Sequence, residues 1–140
     1  MQPIHLKTLQ DLEFSTVLDQ IAARCNTELG KAAALGIKPF EDRQELLDVL
    51  GQTSEYVASF SNENRIPNHG FDAIAKELQL LAIENTTLEV SGFRKIAALC
   101  TTLSLHKKFF KKFKEYYPLL LTYSEKFEEN KSIPEEIGHV

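Results

Sequence analysis

Between Asn26 and Phe60 the chain reads N-T-E-L-G-K-A-A-A-L-G-I-K-P-F-E-D-R-Q-E-L-L-D-V-L-G-Q-T-S-E-Y-V-A-S-F. The pattern is a short helix, an abrupt stop and a longer helix. Thr27 has the chemistry of a cap, because its hydroxyl accepts an orphan backbone N–H while Glu28 sits at the positive end of the helix dipole. Ala32, Ala33, Ala34 and Leu35 are good helix formers, and Gly36 is expected to end the run in the left-handed conformation. Pro39 forbids continuation. Asp42 with Glu45 three residues on forms a capping box that restarts a helix. Leu46, Leu50, Thr53, Val57 and Phe60 then share one stripe at helical spacing.

Outward from this stretch, helical signals recur in both directions. A helix from about Ser15 or Thr16 to Cys25 is expected upstream, with Thr16 and Asp19 as its capping signal and Val17, Leu18, Ile21, Ala22 and Cys25 as its apolar side. Pro3 argues for an extended start, and Asn26 is a candidate left-handed stop. Downstream, Ser61 to Asn64 is turn chemistry. Arg65 to Gly70 reads as a loop in which Asn68 or Gly70 supplies a positive φ. A helix over about 72–83 follows, broken at Asn85-Thr86-Thr87.

The longest helix is expected from about Glu89 to Tyr117. Ile96, Leu99, Leu103, His106, Phe110, Phe113 and Tyr117 alternate three and four apart, a heptad-like seam. Pro118 ends it. A sixth helix runs to about Glu129, and Ser132, Pro134 and Glu135 look like the opening of a seventh. No segment alternates with period two for long enough to make a strand. The expected fold is therefore all-α, an array or bundle of six to seven helices in one domain over 1–140. A helix signal is still under way at Val140, so the chain is expected to be cut inside its domain.

The 140 residues carry a net charge of -4, no tryptophan and two cysteines. That balance gives no global attraction to nucleic acid, so such a role needs a local patch. No apolar run approaches the ~20 residues needed to span a bilayer, and no secretory segment opens the chain. Cys25 and Cys100 lie far apart on apolar helix faces, where a free thiol behaves as a small hydrophobe, and a cytoplasmic location is expected.

Motifs for chemistry are missing from the sequence. There is no G-x-x-x-x-G-K-[ST], no H-E-x-x-H and no zinc spacing, so catalytic, cofactor-binding and metal-binding residues are each expected to number none. His106 on the apolar seam has two readings: a pH-sensitive switch, or a helix-interface histidine with one satisfied nitrogen. One charged cluster stands out. Lys107, Lys108, Lys111, Lys112 and Lys114, offset by Glu115, give the segment 106–117 a net +4 and leave -8 for the rest. Lys107, Lys111 and Lys114 are expected to share a helix face, with Phe110 and Phe113 turned inward. That face is either an ordinary solvated surface, a phosphate-tracking patch with salt-dependent binding, or a surface for another partner.

T-E-L-G-K at 27–31, K-P at 38–39 and T-S-E at 53–55 resemble the start of the MutS family. More narrowly, they resemble the bacterial subfamily that lacks the mismatch-recognition domain and begins with the helical core. Weaker similarity extends to Leu12-Glu13-Phe14, Val17-Leu18 and Ile21-Ala22, and to Pro67, Gly70 and Ile74. What the resemblance implies is the N-terminal part of a MutS-like core, or lever, domain. It would join a downstream ATPase to DNA-clamping arms in a homodimer engaged in DNA repair or recombination control. The whole protein would bind ATP and Mg and carry a nuclease-type domain, and this segment would hold no chemistry. Glu28, Leu29, Gly30, Lys31, Pro39, Thr53, Ser54 and Glu55 would then be structural residues. Its partners would be DNA, the remaining core and the ATPase, with no membrane. The alternative reading is a free-standing helical protein–protein interaction module.

Overall fold

A computed structural model describes residues 4–138. Among these the chain is all-helical, with eight helices and no strand: α1 Leu6–Asp11, α2 Phe14–Ala22, α3 Glu28–Leu35, α4 Arg43–Ser59, α5 Ala75–Leu81, α6 Val90–Lys112, α7 Pro118–Glu125 and α8 Ser132–Gly138. The all-α expectation holds. The chain divides into two compact units, Met1–Leu47 and Asp48–Val140, with the boundary inside α4.

In the first unit α1 packs on α2, and α2 on α3. Leu18, Ala22 and Ala34 are its buried apolar side chains. Helix α1 was not expected, since Pro3 suggested extended backbone. Helix α2 starts at Phe14 rather than at a Thr16 cap, because Glu13 takes a left-handed φ of 51° and turns the chain out of α1. Helix α3 is capped as the sequence dictates, with the Gly30 N–H donating to Thr27 Oγ1 at 3.0 Å. Its end differs from expectation. Gly36 closes the helix at φ -83°, in the right-handed region, and Ile37 donates back to the Ala34 carbonyl at 3.3 Å. A tightened i→i+3 bond thus satisfies a terminal carbonyl without a left-handed residue. Neither Asn26 nor Gly70 nor Asn68 takes a positive φ. The 68–70 turn is held instead by the Asn68 side chain, whose Oδ1 accepts from the Gly70 N–H at 3.0 Å.

The Asp42 box starts α4 as expected, with Oδ1 accepting from the Glu45 N–H at 2.8 Å. In the second unit α7 and α8 both pack on α6. The α6 seam faces inward: Ile96, Phe110 and Tyr117 are buried, and Leu99, Leu103, His106 and Phe113 are half-buried. Tyr117 is 0% exposed, lies against Phe109 and Phe110, and donates its hydroxyl to the Asn64 carbonyl. Helix α6 ends at Lys112, five residues before the expected stop at Tyr117. Pro118 serves as the first residue of α7 rather than as the terminator of α6. Proline suits that first position, since its missing N–H would have no intrahelical partner there. Asn85 breaks the chain between α5 and α6 with a φ of 61°, and the Thr86 hydroxyl bonds the Ile83 carbonyl at 2.7 Å.

Helix α4 departs most from the pattern. Its apolar stripe is turned outward, with Leu50 53%, Val57 59% and Phe60 61% exposed, while Gly51, Glu55, Tyr56 and Ser59 form the covered side. Burial of apolar area is non-directional, whereas the hydrogen bonds of Glu55 described below admit one rotation of the helix.

Candidate functional residues: a capped helix and a lysine face

The T-S-E triplet finds its role in the second unit. Thr53 bonds back to the Val49 carbonyl at 2.8 Å, and Ser54 is exposed. Glu55 reaches out of α4 to the N-terminus of α7. Its Oε1 accepts from the Leu119 N–H and its Oε2 from the Leu120 N–H, both at 2.9 Å. The first-turn donors of α7 are thereby accounted for. Pro118 has none, Leu119 and Leu120 go to Glu55, and Leu121 donates to the Tyr117 carbonyl at 2.9 Å. The carboxylate also stands at the positive end of the α7 dipole. One turn earlier, Gly51 makes room for the same element. A Cβ at that position would lie 2.4 Å from Leu119 Cδ1. Gly51 and Glu55 are therefore an i, i+4 notch and clasp for one residue pair of α7. Sequence reasoning named Glu55 through the family resemblance but missed its partner 64 residues on. The only local signal was an acidic residue inside a helix whose partner begins at proline with no capping side chain.

The other motif residues lie in the first unit. Gly30 has its Cβ position 3.0 Å from Thr27 Oγ1 and 3.4 Å from Cys25 Cβ, a close approach that any larger residue would disturb. Glu28 and Lys31 form a largely exposed ion pair at 2.8 Å, with Glu28 raising the lysine above its ordinary value. Leu29 is 50% exposed. Pro39 lines an open cavity of about 710 Å³ together with Ile37, Phe40, Ile4 and Leu9, with Lys38, Glu41 and Glu45 supplying its charge.

The lysines are divided by the early end of α6. Lys107 and Lys111 share a face one turn apart, but Lys114 lies beyond the helix and does not continue it. Lys107 donates through Nζ to the Phe127 carbonyl, and Lys112 stands 5.1 Å from the centre of the Phe113 ring. Lys111 and Lys112 occupy the last turn of α6, where cations complement the helix dipole. Lys108, Lys111, Lys112 and Lys114 are exposed. Phe110 is buried and Phe113 half-buried, as the inward stripe requires.

His106 donates from Nδ1 to the Thr102 carbonyl at 2.7 Å, while its Nε2 is buried without a partner. Its ring lies 6.2 Å from that of His69, whose Nε2 is 3.4 Å from the Tyr56 hydroxyl. One satisfied nitrogen at a helix interface is thus what the position holds. Cys25 and Cys100 are free and half-buried. Among the described residues no group of three or more His, Cys, Asp or Glu is placed to hold a metal ion. No described helix is long and apolar enough to cross a membrane.

Fold and site together define an all-α array in which side chains of one helix seat the terminus of another. Over 114 residues, 81% of the chain, it is 29% identical to Endonuclease MutS2 of Pelotomaculum thermopropionicum. The match spans 14% of that protein's length. This level of similarity points to a distant MutS-family relationship. No family model matches the chain, and no solved structure matches it.

Proposed function

We propose that this chain is a helical core segment of a MutS-like, DNA-acting ATPase concerned with DNA repair or recombination control. Its role there is mechanical: it links ATPase and DNA-clamping parts that lie outside these residues, and it carries no chemistry of its own. ATP and Mg would be bound by those other parts, and the working form would be a homodimer on DNA. The observation that carries the reading is the similarity to MutS2 across four-fifths of the chain. The Gly51–Glu55 clasp on α7 supports it, because a mechanical segment needs helix-to-helix joints that resist rotation. A free-standing interaction module is the second reading, favoured by the outward stripe of Leu50, Val57 and Phe60 on α4.

In the first reading the exposed lysines at the end of α6 contribute phosphate contacts. Anisotropy titration of a labelled duplex at about 50 mM salt tests this, because each neutralised phosphate adds about 0.9 to the slope of log affinity against log salt. Changing Lys111, Lys112 and Lys114 together to Gln is expected to weaken binding and flatten that slope by up to about 2.7 units, three contacts at about 0.9 each. Binding and slope identical to the parent remove the lysine face from the proposal.

A further inference from the structure

His106 holds an unusual position midway along α6. Its Nδ1 bonds the Thr102 carbonyl at 2.7 Å, and because a carbonyl only accepts, that nitrogen carries the ring proton. Nε2 keeps its lone pair, buried and without a hydrogen-bond partner. Buried acceptors in that state are uncommon in folded chains. The ring of His69, from the segment between α4 and α5, stands with its centre 6.2 Å from that of His106. His69 Nε2 is in turn 3.4 Å from the Tyr56 hydroxyl on α4. That is longer than the usual range of about 2.7–3.2 Å for a hydrogen bond between nitrogen and oxygen.

Both separations are those of ligands around one metal ion. Two donors, each about 2.1 Å from a tetrahedral ion, stand about 3.4 Å apart. An imidazole centre lies about 1.2 Å behind its nitrogen, so two rings on one ion have centres about 5.4–6.6 Å apart as their angle opens from tetrahedral to linear. The bond from His106 Nδ1 to a backbone carbonyl is also the support that metal-bound histidines usually have, since it fixes the tautomer and aims the other nitrogen.

We propose that Tyr56, His69 and His106 form a binding site for a divalent late transition-metal ion, Zn²⁺ or Cu²⁺. The two Nε2 atoms and the phenol oxygen are its donors, and the exposed side of His69 leaves a further position for solvent. Two imidazoles with one oxygen suit zinc and copper, whereas magnesium and calcium take oxygen donors. The third donor is a phenol, which is why no trio of His, Cys, Asp or Glu marks the site. Its donors come from α4, from the segment after it and from α6, so a bound ion staples three parts of the second unit together. The proposal does not depend on the nucleic-acid reading of the lysines.

The test is titration of the full chain with ZnCl₂ against a fluorescent competing chelator, read together with thermal unfolding. One ion per chain is expected, with a melting temperature that rises with zinc concentration because the folded chain alone presents the three donors together. His69→Ala changes an exposed position and is expected to weaken binding at least tenfold, with far-UV circular dichroism showing the parent's helix content. Tyr56→Phe keeps the ring and removes the oxygen, and is also expected to weaken binding. His5→Ala controls for capture by a lone imidazole and is expected to change neither readout. With CuCl₂, coordination of Tyr56 releases the phenol proton to solvent and gives a visible phenolate-to-copper absorption band that Tyr56→Phe abolishes. No binding by the parent, or equal binding by His69→Ala and the parent, overturns the site. Undiminished zinc binding by Tyr56→Phe, with no such copper band in the parent, overturns the three-donor arrangement.

Discussion

Replacing Glu55 by alanine removes both acceptors from the first turn of α7 at once. The Leu119 and Leu120 N–H groups lose bonds of 2.9 Å to a charged oxygen. Each such bond contributes about 1.5–3 kcal/mol before rehydration is counted. Leu119 is 37% exposed, so water recovers much of its bond, while the Leu120 N–H is half-buried and recovers less. The expected loss is about 2 kcal/mol, at the top of the range for removal of a helix cap. Glu55→Gln keeps one acceptor oxygen and loses the charge, and is expected to cost about 1 kcal/mol. For a chain of this size 1 kcal/mol corresponds to about 3–4 °C, so the alanine variant melts about 6–8 °C lower. Urea unfolding followed by circular dichroism gives the free energies, and amide exchange at Leu119 and Leu120 shows where the loss falls. A cost below about 0.5 kcal/mol for alanine, with those two amides as protected as before, would refute the clasp.

Other perturbations follow from the same geometry. Thr27→Ala is expected to cost about 1 kcal/mol by freeing the Gly30 N–H, with faster exchange confined to the start of α3. Tyr117→Phe removes the hydroxyl that bonds the Asn64 carbonyl and is expected to cost about 1 kcal/mol in urea unfolding, whereas Tyr117→Ala empties a fully buried site and costs about 3–5 kcal/mol. The Lys95 ammonium, 3.0 Å from Glu77, holds that carboxyl below its ordinary range, chiefly through their hydrogen bond. A carboxyl lowered in the folded state stabilises above its unfolded value, and that contribution disappears as pH falls through the folded one. Unfolding measured between about pH 6 and pH 3 is therefore expected to show a smaller acid loss for Lys95→Met than for the parent, and identical profiles would contradict the pairing.

Local chemistry made much of this fold readable. Thr27 and Asp42 cap their helices as their side chains dictate, because a cap is decided by atoms three residues apart. The seam from Ile96 to Tyr117 predicted the inward side of α6 even though the helix stops at Lys112, since residues past the helix end still turn toward the same interior. What stayed hidden depends on distant partners. The apolar stripe of α4 pointed to a core-facing side, and nothing near Leu50 or Val57 announced that Glu55 would set the rotation through Leu119 and Leu120. The lysines were legible as a charged face. That Phe127 would come back to Lys107 was not, because the return follows from the turn at 113–117 and the direction of α7.

The proposed function makes these residues part of a larger DNA-acting ATPase. Determining the reading frame past the codon for Val140 tests it most directly. The expected result is an uninterrupted frame with a G-x-x-x-x-G-K-[ST] phosphate-binding loop farther downstream. A stop codon directly after Val140 would contradict it and leave the helical interaction module as the reading to pursue.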